Sequence, residues 1–137
     1  MNLHFNISKE DMSVAGTASS SVKKKLLQLG INPNVIKKAV ISLYEAEINM
    51  VIHGGGGDID IDITPELVTM NIADKGPGIP DINLAMQEGY TTASDSIREM
   101  GFGAGMGLPN IKKNSDFLDI ISKPGEGTTV IIKVKLA

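Results

Sequence analysis

Two glycine-rich segments contain the residues whose types and spacing best suit ligand chemistry. The first, residues 74–79, places Asp74 two residues before the first glycine of a Gly-Pro-Gly turn. An ionised carboxylate only accepts hydrogen bonds, so Asp74 could take one from an exocyclic amine such as that of adenine. The glycines would leave room for a flat base against the backbone. The alternative is an ordinary turn headed by Asp, which is common in proteins.

The second segment, residues 101–107, stands directly before a predicted helix. Gly103, Gly105 and Gly107 would offer backbone N–H groups, and the helix dipole would add a favourable field for phosphate. No Lys-Ser or Lys-Thr pair follows, which argues against a Walker loop, and no strand leads straight into the segment, which argues against a dinucleotide fingerprint. A flexible hinge is the alternative interpretation.

The polar segment between the two clusters, residues 87–102, is interpreted as a lid. It has few apolar anchors and glycine near both ends, so we expect it to be mobile in the absence of a bound nucleotide. It contains Arg98, the only arginine of the chain. This side chain could close over a γ-phosphate or remain solvated.

A third group of polar residues lies in the apolar second half of a predicted helix at residues 33–52. Glu45 and Asn49 are four residues apart, so they share one face, and His53 extends the same stripe. Asn49 could bind Mg²⁺ through its amide oxygen, and Glu45 could act as a general base. Either a ligand or metal faces this stripe, or another polar side chain satisfies it. Glu47 points elsewhere on the helix and is interpreted as structural.

The elements that must position these residues follow the order β-α-α-β-β-α-β-β. Alternating apolar residues predict strands, and apolar residues at helical spacing predict helices. This order fits a two-layer α/β sandwich, in which one mixed, mostly antiparallel sheet carries helices on one face. A further short helix is expected after Asp81. The eight main elements are expected at residues 3–7, 11–29, 33–52, 58–63, 67–73, 107–114, 117–121 and 128–134.

Composition sets limits on the class of protein. The chain of 137 residues has the length of a single domain and a formal net charge of -3, which argues mildly against a nucleic-acid partner. It has no cysteine, and hence neither disulfides nor thiolate metal sites. No apolar run approaches the ~20 residues of a membrane helix. A cytoplasmic protein is therefore expected.

Taken together, these segments resemble the GHKL ATPases, the superfamily of gyrase, heat-shock chaperone, histidine-kinase and mismatch-repair ATPases. Residues 45–49 are similar to its N box, residues 74–78 to its Asp-x-Gly-x-Gly box, and residues 103–107 to its second glycine box. Thr128 is similar to the late threonine that joins the aspartate in adenine recognition. The resemblance covers nearly the whole chain and implies the ATP-binding fold of that superfamily, over residues 1–137.

Within this superfamily, the short length and two local sequences resemble the bacterial anti-sigma-factor and switch-protein serine kinases. These are Gly-Tyr-Thr-Thr at residues 89–92 and Gly-Met-Gly-Leu-Pro at residues 105–109. The resemblance implies transfer of the ATP γ-phosphate to a serine or threonine of a STAS-domain antagonist protein, with a sigma factor or another regulator as a further partner. A nucleotide-gated binding module without kinase activity is the alternative. The strand at residues 3–7 could pair with a second copy of the chain at the sheet edge or be covered by its own chain.

The resemblance also implies individual roles. Glu45 would be the catalytic base, Asn49 the Mg²⁺ ligand, and Asp74 and Thr128 the residues that recognise adenine. The remaining nucleotide-binding residues would shape the pocket and the lid: Gly76, Gly78, Ile79, Arg98, Gly103, Gly105, Met106, Gly107 and Leu108.

Overall fold

The computed structural model describes residues 1–7, 15–52, 55–76, 107–123 and 125–136. The element order is the predicted one, β-α-α-β-β-α-β-β. The elements are β1 Asn2–Ile7, α1 Thr17–Gln28, α2 Pro33–Ile52, β2 Gly57–Ile63, β3 Leu67–Asp74, α3 Gly107–Asn114, β4 Phe117–Lys123 and β5 Gly127–Lys135.

The five strands form one sheet in the order β1-β2-β3-β5-β4, and every neighbouring pair is antiparallel. Helix α2 lies across this sheet and contacts β1, β3 and β5, with α1 and α3 packed against it. Strands β1 and β4 form the two edges. The predicted two-layer α/β fold is confirmed, and every strand pair in the described part of the chain is antiparallel.

The core lies between the sheet and the helices. Alternate residues of the three central strands are buried, which is the period-two pattern of a sheet with one covered face. Full burial of each large aliphatic side chain stabilises the fold by about 1.5–3 kcal/mol. The largest fully buried side chains include Val22, Leu26, Leu43, Met50, Val51, Ile59, Ile61, Val68, Met70, Ile111 and Ile132. Within the ranges that the structure describes, no helix is long and apolar enough to cross a membrane.

Helix α1 begins later than the predicted start near residue 11. Gly16 occupies the N-cap position with φ of 93°, a left-handed conformation that lies outside the α-helical range, so α1 starts at the next residue. Gly16 has no side chain to cap the helix. The carboxylate of Glu47 caps the helix instead. It accepts hydrogen bonds from the backbone N–H of Ala18 at 3.0 Å, from the backbone N–H of Ser19 at 3.2 Å and from the Ser19 hydroxyl group at 3.1 Å. Glu47 is fully buried, and this contact gives it the structural position that was predicted.

Candidate functional site

Asp74 is the last residue of β3, where the strand leaves the sheet. Its Oδ1 accepts the backbone N–H of Gly76 at 3.0 Å and that of Thr128 at 2.9 Å. Burial raises the pKa of this carboxyl group, and the two N–H donors partly offset that rise. Both hydrogen bonds formed with described residues use Oδ1, so Oδ2 is the oxygen that can accept a hydrogen bond from a ligand.

Two glycines enclose the backbone of Asp74. Gly57 of β2 is its cross-strand partner and has φ of 154°, and Gly127 of β5 has φ of 101°. A Cβ atom on Gly57 would overlap the carbonyl oxygen of Ala73, and a Cβ atom on Gly127 would overlap that of Asp74. Both neighbouring strands therefore approach Asp74 more closely than a side chain would allow. Strand β2 begins at Gly57, one residue before the strand predicted at residues 58–63.

A short hydrogen-bonded connection links helix α2 to the Asp74 turn. The N–H of Gly56 donates to the carbonyl of Met50 at 3.2 Å, and the N–H of Lys75 donates to the carbonyl of Gly56 at the same distance. Met50 follows Asn49 in the helix, and Lys75 follows Asp74 after the strand. The loop therefore ties the helix end that carries Asn49 to the strand end that carries Asp74.

Thr128 lies opposite Ser122 in the β4–β5 hairpin. Their hydroxyl oxygens are 2.8 Å apart, and the Ser122 hydroxyl also lies 3.4 Å from the carbonyl oxygen of Gly127. Thr128 is 6% exposed. Ser122 was not among the predicted site residues. The available signal was its place directly after the strand predicted at residues 117–121, a short connection away from the strand that contains Thr128.

Glu45 and Asn49 lie on the same face of α2, and both are half-buried. Burial raises the pKa of the Glu45 carboxyl group, while a hydrogen bond from the Asn110 side chain lowers it in part. The predicted requirement for a polar partner at Glu45 is therefore met by Asn110 on α3. Asn110 was not predicted. The available signal was its place in the first turn of the helix that follows the second glycine cluster.

Helix α3 begins at Gly107, as predicted, and its Leu108 is buried. Its packing against α2 places the helix start on the same side of the sheet as Glu45. Among the described residues, no group of three or more His, Cys, Asp or Glu side chains could hold a metal ion.

Comparison with known proteins identifies the family. The family described as histidine kinase-, DNA gyrase B- and HSP90-like ATPases matches residues 34–137. The chain belongs to this family. The ATPase match covers the segment from α2 to β5 and hence Glu45, Asn49, Asp74 and Thr128. It confirms the superfamily that the sequence motifs indicated.

Among relatives of this ATPase, an anti-sigma F factor of Clostridium beijerinckii is 33% identical over 141 aligned residues, which cover 98% of this chain and 93% of the relative. The serine/threonine-protein kinase RsbT of Bacillus subtilis is 29% identical over 107 residues, covering 75% of this chain and 74% of the kinase. The predicted branch of the superfamily is thereby confirmed. A solved structure, the SiaB–SiaC complex of Pseudomonas aeruginosa, has the same fold with a TM-score of 0.54 at 13% identity, over 97% of this chain and 89% of that one.

The predicted site residues of this ATPase that the structure describes fall into two groups. The other predicted site residues lie outside the described ranges. Asp74, Gly76 and Thr128 are joined directly by hydrogen bonds. Glu45 and Asn49 lie on α2, next to the helix that starts at Gly107 and Leu108. Outside the described residues lie the predicted lid and His53, together with Gly78, Ile79, Arg98, Gly103, Gly105 and Met106.

Proposed function

We propose that this protein is an ATP-dependent serine/threonine protein kinase that transfers the γ-phosphate of ATP to a hydroxyl group of a small regulatory protein. The observation that carries this proposal is the half-buried carboxylate of Glu45, which lies one helical turn before Asn49 and is held by Asn110. Membership of the ATPase family and the similarity to anti-sigma F factors and to the kinase RsbT support it.

Asp74 and Thr128 bind the adenine base in this proposal. The carboxylate has an oxygen suited to the exocyclic amine, and the backbone hydrogen bond from Thr128 to Asp74 keeps Thr128 next to this carboxylate. Guanine presents a carbonyl oxygen where adenine presents its amine, and a carboxylate would repel it. The residues present therefore fit adenine better than guanine.

Glu45 acts as the general base. The serine or threonine oxygen of the acceptor attacks the γ-phosphorus, an O–P bond forms, and the bond to the β,γ-bridging oxygen breaks as ADP leaves. Glu45 takes the proton from the attacking hydroxyl group. Its burial favours this step, because a raised pKa makes the carboxylate a stronger proton acceptor.

Asn49 is the proposed protein ligand for Mg²⁺. A neutral amide oxygen is a hard donor, and Mg²⁺ takes few protein ligands when phosphate and water complete its octahedron. When bound, the ion would neutralise negative charge on the phosphates of ATP. Asn49 is half-buried on the same helical face as Glu45, so it can orient its amide towards the same side as the base.

The proposed acceptor is a STAS-domain antagonist protein, and a sigma factor or similar regulator is the second partner. The relative named as an anti-sigma F factor supports a sigma factor as a partner, and the relative named as a serine/threonine-protein kinase supports a protein acceptor with a hydroxyl group. We also propose that residues 1–137 act as one ATP-binding domain.

Phosphotransfer can be tested with Glu45→Gln. STAS-domain proteins of the source organism are incubated with the full chain and ATP labelled in the γ-phosphate, and Mg-ATP binding is measured by calorimetry. Glu45→Gln should bind ATP within about twofold of the wild type but lose at least ~100-fold in transfer rate, the lower bound for general-base catalysis. Glu66→Gln, in the exposed β2–β3 turn, is the matched control and should transfer normally.

Two outcomes would contradict the kinase proposal. Normal transfer by Glu45→Gln would remove Glu45 from the role of base. Nucleotide-dependent capture of a sigma factor, with no labelled acceptor in the wild type, would favour a nucleotide-gated binding module instead.

A further inference from the structure

Ser122 lies at an inward-facing position near the end of β4. The alternate residues Leu118 and Ile120 of this strand face the core, and Ser122 continues the same row. At this position the strand carries a hydroxyl group where the two preceding inward residues are aliphatic. That hydroxyl group is hydrogen-bonded to Thr128, which is one of the two residues proposed to bind the adenine base.

We propose that Ser122 is a positioning residue that orients the Thr128 hydroxyl group and thereby sets the base selectivity of the nucleotide site. The inference rests on the proposed nucleotide site and adds a residue to it. Ser122 does not need to touch the nucleotide, because its action passes through Thr128.

The contacts around Thr128 make this role specific. Its backbone N–H is held by Asp74 at 2.9 Å and its hydroxyl oxygen by Ser122 at 2.8 Å. A threonine side chain has three staggered positions, and a partner on Oγ1 selects the one that places the hydroxyl group beside that partner. The backbone bond fixes the location of Thr128, and the Ser122 bond fixes the direction of its hydroxyl group.

This direction matters because a hydroxyl group both donates and accepts hydrogen bonds. A carboxylate can only accept, so the preference of Asp74 for an amine is set by its chemistry. Thr128 could satisfy either adenine or guanine if its hydroxyl group rotated freely. The hydrogen bond with Ser122 occupies one donor or acceptor position of the Thr128 hydroxyl group. It therefore limits the hydrogen bonds that this group can form with the nucleotide base. Loss of Ser122 should therefore weaken ATP binding and also reduce discrimination against GTP.

Calorimetric titrations of Mg-ATP and Mg-GTP into the full chain test this inference. Ser122→Ala should raise the Kd for ATP by about 3- to 10-fold, the range for one hydrogen bond, and lower the ratio of GTP to ATP Kd values. Ser122→Thr retains the hydroxyl group and should restore both quantities to within about twofold. Ser122→Cys keeps the size of serine with a much weaker hydrogen-bonding group, so it should behave like Ser122→Ala under reducing conditions.

Thr129→Ala is the matched control, because it removes a hydroxyl group from the adjacent residue of β5 on the opposite face of the sheet. It should leave ATP affinity and base selectivity unchanged. Ser122 variants that bind ATP and GTP with wild-type ratios would overturn the inference, as would an equal loss for both nucleotides that Ser122→Thr does not restore. If wild-type protein bound neither nucleotide, the proposed function itself would fail, and the inference with it.

Discussion

Thr128 donates its backbone N–H to Oδ1 of Asp74 over 2.9 Å, although the two residues are 54 positions apart in the chain. The bond joins the end of β3 to the start of β5. It holds Thr128 next to the carboxylate and leaves the second carboxylate oxygen for another partner. The proposed base-recognition site thus combines the ends of two adjacent strands, and its geometry depends on the register of the sheet.

Asp74→Asn should abolish most ATP binding while leaving the fold intact. An asparagine can still accept the N–H groups of Gly76 and Thr128 through Oδ1, so the backbone contacts survive. The other atom then changes from an acceptor to an NH₂ donor and opposes the amine of adenine. We expect a rise in the Kd for Mg-ATP of about 10-fold or more, as one lost charged hydrogen bond and one repulsive contact would give. Calorimetry measures this change.

The control for this substitution is Asp119→Asn, which removes the same charge from an exposed position of β4. It should bind ATP like the wild type. Unchanged affinity in Asp74→Asn would show that Asp74 does not contact the base.

The same carboxylate makes the stability of the protein dependent on pH. Burial raises the pKa of Asp74 above its ordinary value of 3.8, so the folded state binds this proton more tightly than the unfolded state does. The stabilising contribution of the group is therefore complete below pH 3.8 and is lost as the pH rises through its folded-state pKa.

Thermal melts of wild type and Asp74→Asn across this range should display the effect. The Tm of the wild type relative to that of Asp74→Asn should fall as the pH increases above 3.8 towards neutrality. The variant serves as the reference, because asparagine does not titrate. A difference that stays constant or grows with pH would mean that burial does not disfavour the charged form of Asp74.

Removal of Asn110 should raise the pKa of Glu45. The Asn110 side chain donates to the Glu45 carboxylate and favours its charged form, whereas burial disfavours it. In Asn110→Ala only the effect of burial remains. A ¹³C-detected titration of the Glu45 carboxyl carbon should therefore show a higher pKa, and the acidic limb of the pH–activity profile should move to higher pH.

Lys112→Ala provides the comparison for Asn110→Ala, because Lys112 is an exposed residue of the same helix. It should leave the titration of Glu45 almost unchanged. An unaltered or lower Glu45 pKa in Asn110→Ala would exclude Asn110 as the residue that holds this carboxylate.

Local sequence patterns predicted much of this architecture. Helix α2 was predicted at its observed bounds because Pro33 suits a first helical position and the apolar residues that follow keep helical spacing. Strands β2 and β3 were predicted at residues 58–63 and 67–73, because aspartate and isoleucine alternate in the first and only a short connection separates the two. These signals act within one element or between neighbours in the chain.

The parts of the candidate site that were not predicted depend on contacts between segments that are distant in the chain. Asn110 meets Glu45 only because α3 packs on α2, and local periodicity contains no information about which helices pack together. The close approach of Gly57 and Gly127 to Asp74 likewise requires the strand order β2-β3-β5. The physical reason for glycine at these two positions therefore lies in the packing of neighbouring strands.

Gly127→Ala should destabilise the protein more than Gly125→Ala. Both glycines have positive φ, 101° and 79°, so alanine is strained at either position by roughly 1–2 kcal/mol. At Gly125 nothing lies within 4 Å of the added Cβ atom, whereas at Gly127 it would overlap the carbonyl oxygen of Asp74. Urea denaturation should show an additional loss of about 1–3 kcal/mol for Gly127→Ala, as overpacking gives. ATP affinity should fall only in that variant. Equal losses would mean that the contact with Asp74 relaxes without cost.

Glu47 and Glu45 should separate structural from catalytic function on a single helix. Glu47→Ala leaves the N–H groups of Ala18 and Ser19 without their buried acceptor, and should lower the free energy of unfolding by roughly 2–4 kcal/mol. Glu47→Gln keeps one acceptor oxygen and should lose less. Ser21→Ala, on the exposed face of α1, is the control and should change stability by less than ~0.5 kcal/mol.

The two glutamates should then give opposite results in the two assays. Glu47→Gln should lower Tm but retain phosphotransfer by the fraction that stays folded, since its carboxylate is committed to α1. Glu45→Gln should retain or raise Tm at neutral pH, because it removes a half-buried charge, while losing transfer. A Glu47→Gln variant that is stable yet inactive would contradict this assignment. Glu47, and not Glu45, would then be the general base.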